Sequence, residues 1–188
     1  MAYYRRNIDS QLEIWRNDPN HKPLLIRGAR QVGKSTAVRQ LGKSFKYYLE
    51  INLEKQTDLH QFFPDSIDVK RTCQLLSIST GIPVVPGETL LFIDEIQSCQ
   101  NAIRTLRYFR EDYPELHVIA AGSLLEFALD DLPSFAVGRI RSFYLYPFSF
   151  DDFLSALGLD ALKDFKTQSV REGTPLPDPM HNQLKDLL

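Results

Sequence analysis

The chain is poor in the residues that staple small proteins or anchor chains in membranes. Cysteine occurs twice in 188 residues, as Cys73 and Cys99. They stand far apart with no Cys-x-x-Cys spacing, which excludes a zinc ribbon and gives no disulfide framework, and two reduced thiols packed as small hydrophobes are expected. No stretch comes near the ~20 consecutive apolar residues of a membrane span. Met-Ala-Tyr-Tyr-Arg-Arg at the start has charge but no apolar run behind it, so it is no secretory signal. A cytoplasmic protein without membrane contact is the expectation. Charge of one sign is lacking too. A net charge of −2 draws the chain neither to nucleic acid nor to anionic lipid, so any such contact needs a local patch. Repeats and low-complexity tracts are absent.

What remains is ordinary globular composition, 43% hydrophobic and 24% charged, at a length that suits one α/β domain with a buried core. Ile8, Leu12 and Trp15 recur at helical spacing and predict an opening helix ending near Pro19. Pro23-Leu24-Leu25-Ile26 is a short apolar run halted at Gly28, the pattern of a strand buried on both faces. Residues 34–41 return to helical spacing. Strands are then expected at 47–53, 89–93, 118–121 and 143–146, and helices at 67–78 and 102–113. Short apolar strands alternating with helices predict a parallel sheet covered by helices. After Leu159 the signal fades. Residues 174–179 read as a linker and the chain stops inside an expected helix at 181–188, so a fragment of a longer protein is expected. The division is then one core over residues 1–159 and a linker with the start of a truncated further region over 160–188.

Gly28-Ala29-Arg30-Gln31-Val32-Gly33-Lys34-Ser35 fits G-x-x-x-x-G-K-[ST] without a deviation, between a predicted strand and a predicted helix. Successive backbone N–H groups there can cradle an anion, and the helix N-terminus adds partial positive charge. Lys34 is expected at the β- and γ-phosphates of a nucleotide and the Ser35 hydroxyl on Mg²⁺, with Thr36 beside it. Asp94 closes the most apolar strand and would emerge at the sheet edge where ligands of open α/β sheets bind. It is the expected partner of Ser35 for Mg²⁺. Glu95 follows directly and suits a general base on water, which favours hydrolysis over transfer to another acceptor.

Residues 27–36, the string Leu91-Phe92-Ile93-Asp94-Glu95-Ile96-Gln97, then Ala121-Gly122-Ser123-Leu124-Leu125, and the late blocks 137–139 and 146–154 together resemble a prokaryotic group of AAA-type (AAA+) P-loop ATPases. The resemblance covers nearly all of the chain up to about Leu159. It implies an α/β three-layer sandwich with a mainly parallel five-stranded sheet, the P-loop strand between strands four and five. It implies ATP rather than GTP as the nucleotide, and a further C-terminal domain, nuclease-like in fold. Two roles come from it as well. Ser123 matches the polar sensor that contacts the γ-phosphate or the water, and a serine capping a following helix over 124–129 is the competing reading. Arg139 lies where an arginine finger is often placed, acting in trans within a homo-oligomer, with Arg141 its competitor and a surface ion pair the plain alternative. No helical lid with a second sensor arginine is visible after the fifth strand.

Three functions compete at this point. Hydrolysis of ATP coupled to a C-terminal effector leads, and a nucleotide-dependent switch or scaffold with little turnover is the alternative. Nucleic acid as a partner is supported only by Arg104, Arg107 and Arg110 on one helix, a stripe that a solvated face also explains.

Overall fold

The structure is a computed structural model and describes residues 3–123 and 138–187. The chain divides into two compact units, Ile8–Pro147 and Met1–Asn7 with Phe148–Leu188. The first is built on α1 (Asn7–Asn17), β1 (Leu24–Arg27), α2 (Lys34–Gly42), β2 (Tyr47–Asn52), α3 (Val69–Thr80), β3 (Thr89–Asp94), α4 (Gln100–Asp112), β4 (His117–Gly122) and β5 (Arg141–Tyr144). A 3-10 turn at Thr57–Phe62 precedes α3, and a second, Ile96–Ser98, links β3 to α4.

The five strands form one sheet in the order β2-β3-β4-β1-β5, with every pairing parallel. The expected α/β sandwich with β1 between β4 and β5 is therefore what the chain adopts. Alternation along each strand builds its two apolar layers. Leu25, Leu91, Ile93, Val118 and Ala120 face one way, onto Cys73 and Leu76 of α3 and Ile103, Leu106 and Phe109 of α4. Leu24, Ile26, Leu90, Phe92, Ile119 and Ala121 face the other, onto Leu12 and Trp15 of α1 and Val38 and Leu41 of α2. All six residues of β3 and of β4 are buried, which is why these runs carry no polar alternation. Both cysteines are free thiols in the layer with α3 and α4.

Because the strands are parallel and in register, their C-terminal ends gather on one edge. Arg27 pairs with Gly122 and with Tyr144, and Asn52 with Asp94. The loop after β1, the end of β3 and Ser123 after β4 therefore meet on that edge.

In the second unit stand α5 (Phe150–Ala156), α6 (Asp160–Glu172) and α7 (Asp178–Lys185), the last overlapping the helix expected at 181–188. They close on a small core of Leu154, Leu162 and Leu184. Ser149 caps α5 in a reciprocal capping box with Asp152, which also pairs with Arg6 at 3.2 Å. The expected boundary at residue 159 falls between α5 and α6. No helix among the described residues is long and apolar enough to cross a membrane. The helix expected over 124–129, and Leu124, Leu125 and Val137 of the motif blocks, lie outside the described residues.

Candidate functional site

The loop between β1 and α2 bends through backbone conformations that β-carbons disfavour. Gly28 has φ 144° and Gly33 φ 94°, and Gly33 forms the left-handed N-cap of α2. Between them Gln31 takes φ 62°, a conformation that costs an ordinary residue about 1–2 kcal/mol. Alternation of this kind turns successive N–H groups toward one concavity. Val32 anchors the loop in the layer of α1 and α2, whereas Ala29 and Arg30 are exposed.

An open cavity of about 360 Å³ lies over this loop. Arg30 and Gln31 line it from the loop, and Gly33, Lys34, Ser35 and Thr36 from the start of α2. Arg39, one turn further on, and Glu95 complete it. The sequence reading passed over Arg39. Its guanidinium makes a two-pronged ion pair with Glu50 of β2, at 2.6 and 2.9 Å, and the Tyr48 hydroxyl donates to the same carboxylate at 2.8 Å. Burial pulls the Glu50 carboxyl upward, but the hydrogen bonds and charge of Arg39 and the Tyr48 hydroxyl outweigh it and leave the group below its usual range.

Two charges in the site are nearly out of water. Lys34 is 7% exposed and Asp94 6%. Charges so placed need compensation, and each finds only neutral partners. The Lys34 ammonium donates to the carbonyls of Gly28 at 2.9 Å and Ala29 at 2.7 Å. Asp94 accepts from the Ser35 hydroxyl at 2.9 Å through Oδ2, and from the Glu95 backbone N–H at 3.1 Å through Oδ1. Burial accordingly lowers the Lys34 pKa, against the pull of Glu95 and Asp94. Burial likewise raises that of Asp94, against the Ser35 hydrogen bond. An anion beside Lys34 and a cation beside Asp94 would relieve both penalties.

The donor set fits magnesium. Ser35 Oγ and the Asp94 carboxylate are hard oxygens 2.9 Å apart, and Mg²⁺ is commonly held by one or two such groups, with water and phosphate oxygens filling the remaining positions. No group of three His, Cys, Asp or Glu side chains that could hold a metal ion occurs among the described residues.

Ser123 stands where β4 ends on the same edge. Its hydroxyl oxygen is buried without a hydrogen-bond partner among the described residues. Arg139 is placed elsewhere. Arg141 opens β5 opposite Leu24, and its N–H donates to the Pro23 carbonyl, so residues just before β5 lie at the N-terminal edge of the sheet. One strand length, roughly 13 Å for four residues, separates that edge from the cradle. Arg139 is half-exposed there and pairs with Glu111 at 2.6 Å. Arg141 lies over the Phe143 ring.

The arginines of α4 differ in exposure and partners. Arg104 is exposed, but Arg107 is spent on Tyr108, whose hydroxyl accepts from it at 2.5 Å, and Arg110 donates to the His21 carbonyl. A second residue missed from sequence is Gln97, whose side-chain amide donates to Glu95 Oε2 at 2.6 Å. In the sequence it closes the motif block of residues 91–97, where it carries no assigned role.

A family model described as AAA domain matches residues 20–154, a span that begins before β1 and ends within α5. No curated protein matches the chain. The match covers well over half of the chain, and the sheet order and phosphate-type loop agree with it. The chain therefore belongs to the AAA domain family, with an α/β P-loop NTPase fold and an ATPase-type core.

Proposed function

We propose that this chain binds ATP with Mg²⁺ and hydrolyses it. The observation that carries the reading is the meeting of Ser35 and Asp94 at 2.9 Å beside a buried Lys34 held by carbonyls alone, with Glu95 on the wall of the same cavity. Lys34 exchanges its carbonyl partners for phosphate oxygens and balances the negative charge there. Ser35 and Asp94 hold the ion, whose charge stabilises the phosphates when it is bound. Glu95 orients a water and takes its proton as the water oxygen bonds the γ-phosphorus and the bond to the ADP oxygen breaks. Ser123, whose hydroxyl has no hydrogen-bond partner among the described residues, contacts the γ-phosphate or the water. Base preference for ATP and an effector domain C-terminal to the core, driven by the cycle, follow from the resemblance.

Single-turnover hydrolysis tests the reading. Glu95→Gln should lower the rate on the order of 100-fold while a fluorescent ATP analogue binds with unchanged affinity. An equal rate in both proteins would leave a nucleotide-dependent switch or scaffold as the better description.

Arg139 acts, in this proposal, on the nucleotide of a neighbouring copy. Its half-exposed position at the edge away from its own cradle supports that role. Lys34→Ala and Arg139→Ala should each be inactive alone, and an equal mixture should regain activity because each supplies what the other lacks. A mixture as inactive as its parts would argue for a self-contained site.

A further inference from the structure

The backbone at the end of β3 takes an uncommon course. Glu95 has φ 50° and ψ 45°, the left-handed region, at a cost of about 1–2 kcal/mol for a residue with a β-carbon. A 3-10 turn follows at once, with Ser98 N–H donating to the Glu95 carbonyl and Cys99 N–H to that of Ile96. Ile96 is wholly buried in the layer of α3 and α4 and pins this turn to the core. With Ile96 turned inward, Glu95 and Gln97 flank it and meet each other, Gln97 Nε2 to Glu95 Oε2 at 2.6 Å. Among the described residues this is the side-chain hydrogen bond that Glu95 makes.

We propose that Gln97 is a positioning residue for Glu95, setting which carboxylate oxygen faces the attacking water. The inference rests on the hydrolase reading of the site. Glu95 lines the phosphate cavity and Gln97 does not, so the amide holds one oxygen from behind and leaves the other toward the cavity. The amide orientation is fixed by chemistry, since reversing it would set the Gln97 oxygen against a carboxylate oxygen. Its own Oε1 is buried with no hydrogen-bond partner among the described residues. Leaving an acceptor so placed costs about 1–3 kcal/mol, a cost the charge-assisted bond to Glu95 offsets. A side chain selected only for packing would not need an amide here. The bond also offsets the left-handed backbone of Glu95, because the 3-10 turn that brings Gln97 back depends on that backbone.

The rate of an oriented attack falls steeply with misplacement, up to about 100-fold for 1 Å. Gln97→Met keeps the length and bulk of the side chain and removes the donor. It should lower single-turnover hydrolysis about 10- to 100-fold with the affinity for ATP unchanged. In a Glu95→Gln background the same change should cause no further fall, because the residue acts through Glu95. Gln97→Glu, equal in size but repelling Glu95, should be slower still, and it carries the test if Gln97→Met folds poorly. A crystal structure of Gln97→Met should show the Glu95 carboxylate displaced, a readout that stands whether or not wild type turns over. An unmoved carboxylate, a wild-type rate in either variant, an equal loss in the Glu95→Gln background, or a parallel loss of ATP affinity would each overturn the inference. If wild type itself does not hydrolyse ATP, the hydrolase reading fails, and the carboxylate position then decides alone whether Gln97 holds Glu95.

Discussion

Gly28→Ala should destabilise the fold by about 2–6 kcal/mol and abolish nucleotide binding. Two costs add. The backbone at Gly28 sits at φ 144°, a region that residues with a β-carbon rarely adopt, worth about 1–3 kcal/mol. The added carbon would also overlap the backbone carbonyl oxygen of Leu145, just past the end of β5. That oxygen cannot rotate away as a side chain could, because the Leu145 N–H is itself bonded to the Arg27 carbonyl at 2.8 Å. Relief requires β5 to move off β1, at a further cost of about 1–3 kcal/mol. The same movement shifts the Gly28 carbonyl that holds Lys34, so the cradle fails with the strand. Gly87→Ala is the control. Gly87 also has positive φ, at 76°, but nothing lies within 4 Å of an added carbon, so only the backbone strain of about 1–2 kcal/mol remains. Thermal denaturation should separate the two by several degrees, and titration with a fluorescent ATP analogue should show loss of binding for Gly28→Ala alone. Equal melting temperatures would show that the contact between the loop and β5 is looser than its geometry.

Much of the core was legible because buried parallel strands leave little choice of residue. β3 and β4 are covered on both faces, so their apolar runs stand out, and Gly28, Gly33, Lys34 and Ser35 stand out because phosphate binding dictates residue type at fixed spacing. Asp94 was legible by position, at the end of the most apolar run. What stayed hidden depends on the fold rather than on local pattern. Gln97 reaches Glu95 only because Glu95 adopts a left-handed backbone, which no propensity predicts for glutamate. Arg39 enters the site through Glu50 and Tyr48, partners supplied by a strand that the sequence does not place beside α2. The helices of the second unit gather on only Leu154, Leu162 and Leu184 as buried apolar anchors, and α6 buries Leu162 and Ser169 alone. An apolar face that thin gives little periodic signal, and the reading faded there.

Acid should loosen the sheet at the edge opposite the cradle, and the agent is a pair of histidines 96 positions apart in sequence. His117 opens β4 and His21 lies in the loop before β1. Their rings stack with centroids 3.8 Å apart, and the Trp15 ring meets both edge-on. His117 donates from Nε2 to the Arg16 carbonyl at 3.0 Å, while its Nδ1 is buried without a hydrogen-bond partner among the described residues. A proton added at Nδ1 would therefore be a buried N–H with no acceptor, on a cation stacked against a second imidazole. Burial, reinforced by His21, holds the His117 pKa down to about 4. The unfolded chain takes up that proton near pH 6.5, so between pH 6.5 and 4 only the unfolded state binds it and stability falls as pH falls. Over the whole window the loss is about 3 kcal/mol. Glu50 and Asp152, both held below their usual carboxylate range, lose their contributions at lower pH, and Asp94, raised by burial, works the opposite way. Comparison with His117→Phe isolates the imidazole, since phenylalanine keeps the stack and cannot titrate. Urea midpoints should fall from pH 7 to pH 4.5 in wild type and far less in His117→Phe, which pays about 1 kcal/mol at neutral pH for the lost hydrogen bond. The probe is built in, because Trp15 is the one tryptophan of the chain and packs edge-on against His117. Its emission should shift to longer wavelength through the acid transition, and equal slopes in the two proteins would remove His117 as the cause.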